Sequence, residues 1–364
     1  MPDPSAIVAA GSNDQPAPGW PVIGHGDIVS SLRRSIQGDR VSHAYLFAGP
    51  SGVGKATLAR CFARALSCQA AIRTDPTVPC GTCLACRKIE RGVHPDVQRL
   101  DLELQAKLGS SRSSQQTSLT IDSIRRLAAD AALKPMEAGR RMMIVDDAET
   151  MQTVAQEALL KTLEEPPPSV LLMLLADDAG VLLPTIRSRC QVINVRPVPA
   201  PVIAEALVAT GIDAVQAHEV AALSSGRPGW ALRAARDHAL IAARRAATDR
   251  ALAWIEGTTY DRLVTAVKLG DSFTKRRSDV LGDLGALLTV WRDVMLLLAR
   301  LPDLVIQRSA LHRLAVLAEW WTLGAITSSI RAVQRCMADL EGNVRPRLAL
   351  ESMVLRWPTT GGSP

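Results

Sequence analysis

Gly49-Pro-Ser-Gly-Val-Gly-Lys-Ala56 follows the apolar run Ala44-Tyr-Leu-Phe-Ala48 and opens a stretch of helical periodicity. A glycine-rich turn between a strand and a helix can aim backbone N–H groups at a phosphate. The helix N-terminus adds positive potential, and a lysine adds a point charge for the outer phosphates. Gly49, Gly52, Gly54 and Lys55 are therefore the candidate nucleotide-binding residues. The position after the lysine should carry a hydroxyl for magnesium, and here it is Ala56. Thr57 follows at once, but one residue turns its hydroxyl about 100° around the helix. The stretch reads either as phosphate-binding architecture or as a glycine-rich turn with no ligand.

Working outward, short apolar runs alternate with helical periodicity over roughly the first 200 residues. Strands are predicted at Ala44–Ala48, Val97–Leu100, 142–145, Val170–Ala176 and 191–195. Ile121, Ile124, Leu127 and Ala128 share one helix face, as do Ala155, Ala158, Leu159 and Leu163. The second helix must stop at Pro166-Pro167-Pro168, where backbone donors are missing. This alternation predicts an α/β domain with a parallel sheet covered by helices. Residues 103–120 are polar and Ser/Gln-rich and read as a mobile surface loop. Beyond Arg196-Pro-Val-Pro-Ala-Pro201 the strand signal disappears, leaving helical stretches rich in Ala, Leu and Arg.

The chain has 364 residues, a formal charge of +6 and 47% hydrophobic residues, enough for two or three domains with cores of their own. No apolar run nears the roughly 20 residues that span a bilayer. The N-terminus lacks the pattern of a secretory signal or transit peptide, so a cytoplasmic protein is expected. The mild basicity permits an anionic partner without demanding one.

Cys80-Gly-Thr-Cys83-Leu-Ala-Cys86 brings three thiols together at two-residue gaps, with Cys68 eleven intervening residues upstream. Four soft ligands at such spacing suit tetrahedral, structural zinc with no open coordination position; the bland reading is four unrelated thiols. Arg87, Lys88 and Arg91 follow without an aromatic nearby, which suits a solvated helix face better than a nucleic-acid surface. Cys61 and Cys336 read as small apolar packing residues.

In Met142-Met-Ile-Val-Asp146-Asp147-Ala-Glu149, a strand end offers Asp146 to magnesium and Asp147 to the attacking water. Asp147 is one methylene shorter than the glutamate that the second role prefers, and it reads equally as a solvated loop carboxylate. Pro184-Thr-Ile-Arg187-Ser-Arg189-Cys190 is a short turn between two strands. Its Arg189 is either a surface-paired cation or an arginine finger that reaches a neighbour's γ-phosphate. Trp291, Trp320 and Trp321 suit either a core or an interface, with core favoured.

Taken together, these segments resemble the clamp-loader branch of the AAA+ ATPases, and within it the family of delta-prime subunits of bacterial DNA polymerase III. The resemblance is carried by Val22-Ile-Gly-His25, Ser42-His-Ala-Tyr-Leu-Phe-Ala-Gly-Pro50, Gln156-Glu-Ala-Leu-Leu-Lys-Thr-Leu-Glu-Glu-Pro-Pro167, Thr185-Ile-Arg-Ser-Arg-Cys190 and Asn343-Val-Arg-Pro-Arg-Leu-Ala-Leu-Glu351. It implies a RecA-like P-loop domain at 21–198 with an inserted zinc module at about 68–90, an all-α lid at 199–245 and an all-α collar at 246–357. Residues 1–20 and 358–364 are then a flexible N-terminus and a tail. It further implies a pentameric ring with gamma/tau and delta subunits, which loads a sliding clamp on primer-template DNA within the polymerase holoenzyme. Cys68, Cys80, Cys83 and Cys86 correspond to zinc ligands, and Arg189 to the finger that completes an adjacent motor's ATP site.

Four departures from the motor pattern point to a subunit with weak or absent ATP binding and no intrinsic ATPase. Ala56 replaces the magnesium hydroxyl and Asp147 the catalytic glutamate; Asp177 stands at a phosphate-sensor position and Gly229 at a nucleotide-sensing arginine. The isolated chain is expected to be a monomer that joins a hetero-oligomer. The rivals are an active gamma/tau-like ATPase and a zinc-bearing nucleic-acid-binding regulator.

Overall fold

The computed structural model describes residues 19–70, 75–108, 118–342 and 344–359. Five strands, β1 (Ala44–Ala48), β2 (Val97–Leu100), β3 (Arg141–Val145), β4 (Val170–Ala176) and β5 (Gln191–Asn194), form one sheet in the order β2-β3-β4-β1-β5. All four pairings are parallel, with Ala44 opposite Leu172, Tyr45 opposite Gln191, Val97 opposite Met142 and Arg141 opposite Val170. The strands are those predicted, with β3 starting one residue earlier and β5 ending one residue sooner.

Side chains of a strand alternate between its two faces, and here both faces are apolar. Tyr45, Phe47, Met142, Ile144, Leu171 and Met173 enter one core, where helices α1 (Gly26–Gln37) and α2 (Lys55–Ser67) contribute Leu32, Leu58 and Phe62. Leu46, Met143, Val145, Leu172 and Leu174 enter the opposite core. After the short helices α3 (Leu84–Glu90) and α4 (Leu102–Leu108), that second core is covered by α5 (Ile121–Ala131) and α6 (Thr153–Glu164) through Ile124, Leu127, Leu159 and Leu163. Every residue of β1, β3 and β4 is buried in consequence. Helix α7 (Pro184–Arg187) precedes β5, and α8 (Ala200–Ala209), α9 (Ala214–Leu223) and α10 (Pro228–Ala234) follow it.

Helix α4 corrects the expectation of a loop over 103–120. Leu102-Glu-Leu-Gln-Ala-Lys-Leu108 is helical, and the polar Gln105 is buried rather than solvated. Its side-chain amide donates to the Ser118 carbonyl at 2.9 Å, and its oxygen accepts the Thr120 N–H at 2.9 Å. The rest of that segment, 109–117, lies outside the described residues.

Asp96, just before β2, is fully buried, and its carboxylate accepts the N–H groups of Met136, Glu137 and Ala138 at 2.7, 2.7 and 2.8 Å. Burial pushes this carboxyl up, but the three donors outweigh burial and hold it below the ordinary range. The group is thus ionised in the fold and clamps the loop before β3 onto the sheet edge. Replacing Asp96 by Ala leaves three donors without their acceptor and is expected to cost about 3–5 kcal/mol in urea unfolding. The sign of the pH effect follows from the depressed pKa. Asp96 contributes its full share above the unfolded-state value and loses it as pH falls through the folded one, so the Asp96→Ala penalty should shrink in acid.

The chain divides into two compact units between Leu232 and Arg233. The second is helical: α11 (His238–Glu256), α12 (Thr259–Ser272), α13 (Arg277–Leu298), α14 (Leu311–Trp320), α15 (Leu323–Glu341) and α16 (Pro346–Val354). Helix α13 packs against α11, α14 and α15, and α12 against α16. Trp291 and Trp321 lie in the core with ring centroids 5.1 Å apart, whereas Trp320 is 44% exposed, so the three tryptophans divide between core and surface. Arg262 is buried beside Trp357 and donates to the carbonyls of Ile255 and Pro358. No described helix is long and apolar enough to cross a membrane.

Candidate functional site

The phosphate-loop candidate leaves the carboxyl end of β1, between β4 and β5, where open parallel sheets form their ligand crevices. Gly49 N–H donates to Ala176 at 3.1 Å, and a Cβ on Gly49 would lie 2.0 Å from the Val195 carbonyl oxygen. Only glycine fits there. Gly52 and Gly54 have φ values of +80° and +119°, which L side chains rarely adopt, and α2 begins at Lys55.

Lys55 is buried, and two of the three donors of its ammonium are engaged by the chain itself. It donates to the Gly49 carbonyl at 2.5 Å and to Asp177 Oδ1 at 2.5 Å. The loop is covered from α10, where Gly229 N–H donates to the Gly52 carbonyl at 2.9 Å. A Cβ on Gly229 would stand 3.0 Å from that oxygen, so a larger residue would crowd the contact.

Asp146 and Asp147 emerge at the carboxyl end of β3, but they differ in environment. Asp146 Oδ2 accepts Arg99 Nη2–H at 2.8 Å, so its charge is met by a cation of the neighbouring strand. Asp147 sits at φ +53°, and burial, reinforced by the charge of Asp146, pushes its carboxyl up. Glu149 is likewise pushed up by burial, with Asp177 adding repulsion, and its Oε2 accepts the Asp177 N–H at 3.2 Å.

Arg189 lies in the turn between α7 and β5. Its Nη1–H donates to the Thr185 carbonyl at 3.0 Å and its Nη2–H to Glu164 Oε1 at 2.8 Å, with both charged groups open to solvent. Cys190 packs inward beside it, its thiol pushed up to about 12 by burial. Glu164 was not singled out in the sequence. It is one of two adjacent acids before the proline run, and only the fold distinguishes them.

Cys68, Cys80, Cys83 and Cys86 come together with all four Sγ atoms within 4.8 Å of one another. Tetrahedral Zn–S bonds of ~2.3 Å put sulfurs ~3.8 Å apart, and Cys83 and Cys68 Sγ stand at 3.9 Å. Backbone N–H groups of Cys80, Cys83 and Cys86 donate to Sγ of Cys68, Cys80 and Cys83 at 3.4, 3.3 and 3.5 Å, an arrangement that stabilises thiolates. Against the opposing effect of burial, such bonds bring Cys80 down to about 6, whereas burial pushes Cys86 up to about 12. A metal is what would deprotonate all four together, and the donor set fits one. Lys88, on the following helix, pairs with Glu137 at 2.6 Å rather than standing as a free cation. Cys61 and Cys336 are buried packing residues, as predicted.

Residues 24–199 match a family model described as "DNA polymerase III, delta subunit". The chain is 36% identical over 197 residues to DNA polymerase III subunit delta' of Pseudomonas aeruginosa, covering 53% of this chain and 55% of that protein. It is 27% identical over 328 residues to subunit delta' of Bacillus subtilis, covering 90% and 94%. It is also 32% identical over 169 residues to subunit gamma of Buchnera aphidicola, covering 46% and 42%. The chain spans about half the length of the first relatives it matches. The parallel sheet, the phosphate-loop candidate and the Arg189 turn all lie inside the matched segment, and these similarities support a delta-prime/clamp-loader family protein of DNA polymerase III.

Proposed function

We propose that the chain is a non-hydrolysing clamp-loader subunit, a stationary arm that supplies Arg189 in trans to the ATP site of a neighbouring motor. The observation that carries this reading is the commitment of Lys55 to Asp177 in a loop that already lacks the magnesium hydroxyl at Ala56. A phosphate loop whose only ammonium is neutralised from within is a poor site for a nucleoside triphosphate. Asp146 and Asp147 are then the remnants of an acidic motif, one paired with Arg99 and the other held toward its neutral form.

In this reading residues 21–198 are the P-loop body, 199–245 the lid and 246–357 the collar that joins gamma/tau and delta subunits in a pentameric ring. The ring acts on a sliding clamp and primer-template DNA. Cys68, Cys80, Cys83 and Cys86 hold structural zinc, which cross-links the segment after α2 to α3 and takes no part in chemistry. Arg189 suits its role because its partner Glu164 is exposed: such surface pairs are worth about 0–1 kcal/mol and are readily exchanged for a phosphate.

Light scattering of the chain alone and mixed with gamma/tau and delta subunits tests the assembly. A monomer that enters the larger complex is expected; a stable homo-oligomer that ignores those subunits would contradict it.

A further inference from the structure

We propose that Asp177 is a built-in occupant of the phosphate loop, a carboxylate that takes the place of a nucleotide's outer phosphate on Lys55 and thereby excludes nucleoside triphosphates. The proposal rests on the non-hydrolysing reading above and names the residue that enforces it.

The ammonium of Lys55 cannot stay buried without anionic or carbonyl partners, because a desolvated charge is costly unless paired. In a working phosphate loop the nucleotide completes that pairing. Here the chain completes it, with Asp177 Oδ1 and the Gly49 carbonyl each 2.5 Å from Nζ. Asp177 is also anchored from behind, since its N–H donates to Glu149 Oε2 at 3.2 Å. The backbone that presents the carboxylate to Lys55 is therefore itself tied down.

Two further features oppose entry of a polyanion. The Asp177 charge lies close enough to Asp147 and Glu149 to add to the upward push on both their carboxyl groups, so a triphosphate that displaced Asp177 would meet an unpaired carboxylate beside two more acids. From the other side, the Gly229 N–H bond to the Gly52 carbonyl at 2.9 Å fastens α10 directly against the loop. Of these features, the Lys55–Asp177 pair is the one a single substitution can remove with little risk to the fold, because the Asp177 side chain is about half exposed.

The test is equilibrium binding of magnesium-ATP to the intact chain by calorimetry. The proteins compared are wild type, Asp177→Asn, Asp177→Ser and the double variant Asp177→Asn/Lys55→Ala, each checked for native circular dichroism. Both single variants are expected to bind at least about tenfold tighter than wild type, equivalent to about 1.4 kcal/mol, and the double variant to lose the gain. Folded Asp177→Asn and Asp177→Ser proteins that bind no better than wild type would overturn the role of Asp177, whatever the hydrolysis result. So would a gain that survives Lys55→Ala. Turnover of ATP by the wild-type chain would instead overturn the non-hydrolysing reading, so the two failures are distinguishable.

Discussion

Arg189→Ala, built into the assembled complex with its motor subunits, is expected to leave assembly intact and sharply lower ATP hydrolysis. An arginine finger is worth about 10³ to 10⁵ in rate at the site it serves, so that site should fall effectively silent. In the proposed ring the total rate is expected to fall less, because other sites would keep their own fingers. Two structural features make the loss specific to chemistry. The Arg189 guanidinium is solvent-accessible, and its contacts are one carbonyl, one exposed carboxylate and the neighbouring Ser188 hydroxyl. Removing it therefore creates no cavity and orphans no buried group. Arg189→Lys should rescue little, since an ammonium cannot reproduce the planar, bidentate donors of guanidinium. An unchanged steady-state rate in the Arg189→Ala complex would remove the finger role.

Cys83→Ser should have the largest effect on the chain itself. A structural zinc site contributes apparent binding energy of about 10–16 kcal/mol, which a small loop-rich module has little else to replace. Cys83 links two partners in the cluster, with its N–H on Cys80 Sγ and its own Sγ accepting from Cys86. Elemental analysis of protein prepared without a metal-binding tag should find about one zinc per chain. The Cys83→Ser protein should retain little, and proteolysis should then cut between α2 and α3. Zinc absent from the wild type, or undiminished in the variant, would refute the assignment.

What could be read from the sequence was what is local. β1, β4 and residues 142–145 of β3 are contiguous apolar runs, β2 and β5 are short stretches bounded by turn signals, and the phosphate loop, the cysteine pattern and the Arg189 turn each occupy fewer than twenty consecutive positions. The interactions that decide function are not local. Lys55 and Asp177 are 122 residues apart and meet only because β1 and β4 are neighbours in the sheet. Arg189 and Glu164, and Asp96 and the 136–138 amides, depend on the same strand order. Helix α4 escaped for a related reason. It is only seven residues long and borders the Ser/Gln-rich stretch, and the burial of Gln105 depends on its meeting Ser118 and Thr120, 13 and 15 residues further on.

The most direct measurement for the central claim is steady-state ATP hydrolysis by the purified chain alone, with Lys55→Ala as the control for contaminating enzymes. No turnover above that control is the result expected of a stationary subunit whose lysine is held by Asp177. Turnover that disappears in Lys55→Ala would make the chain a motor and contradict the account.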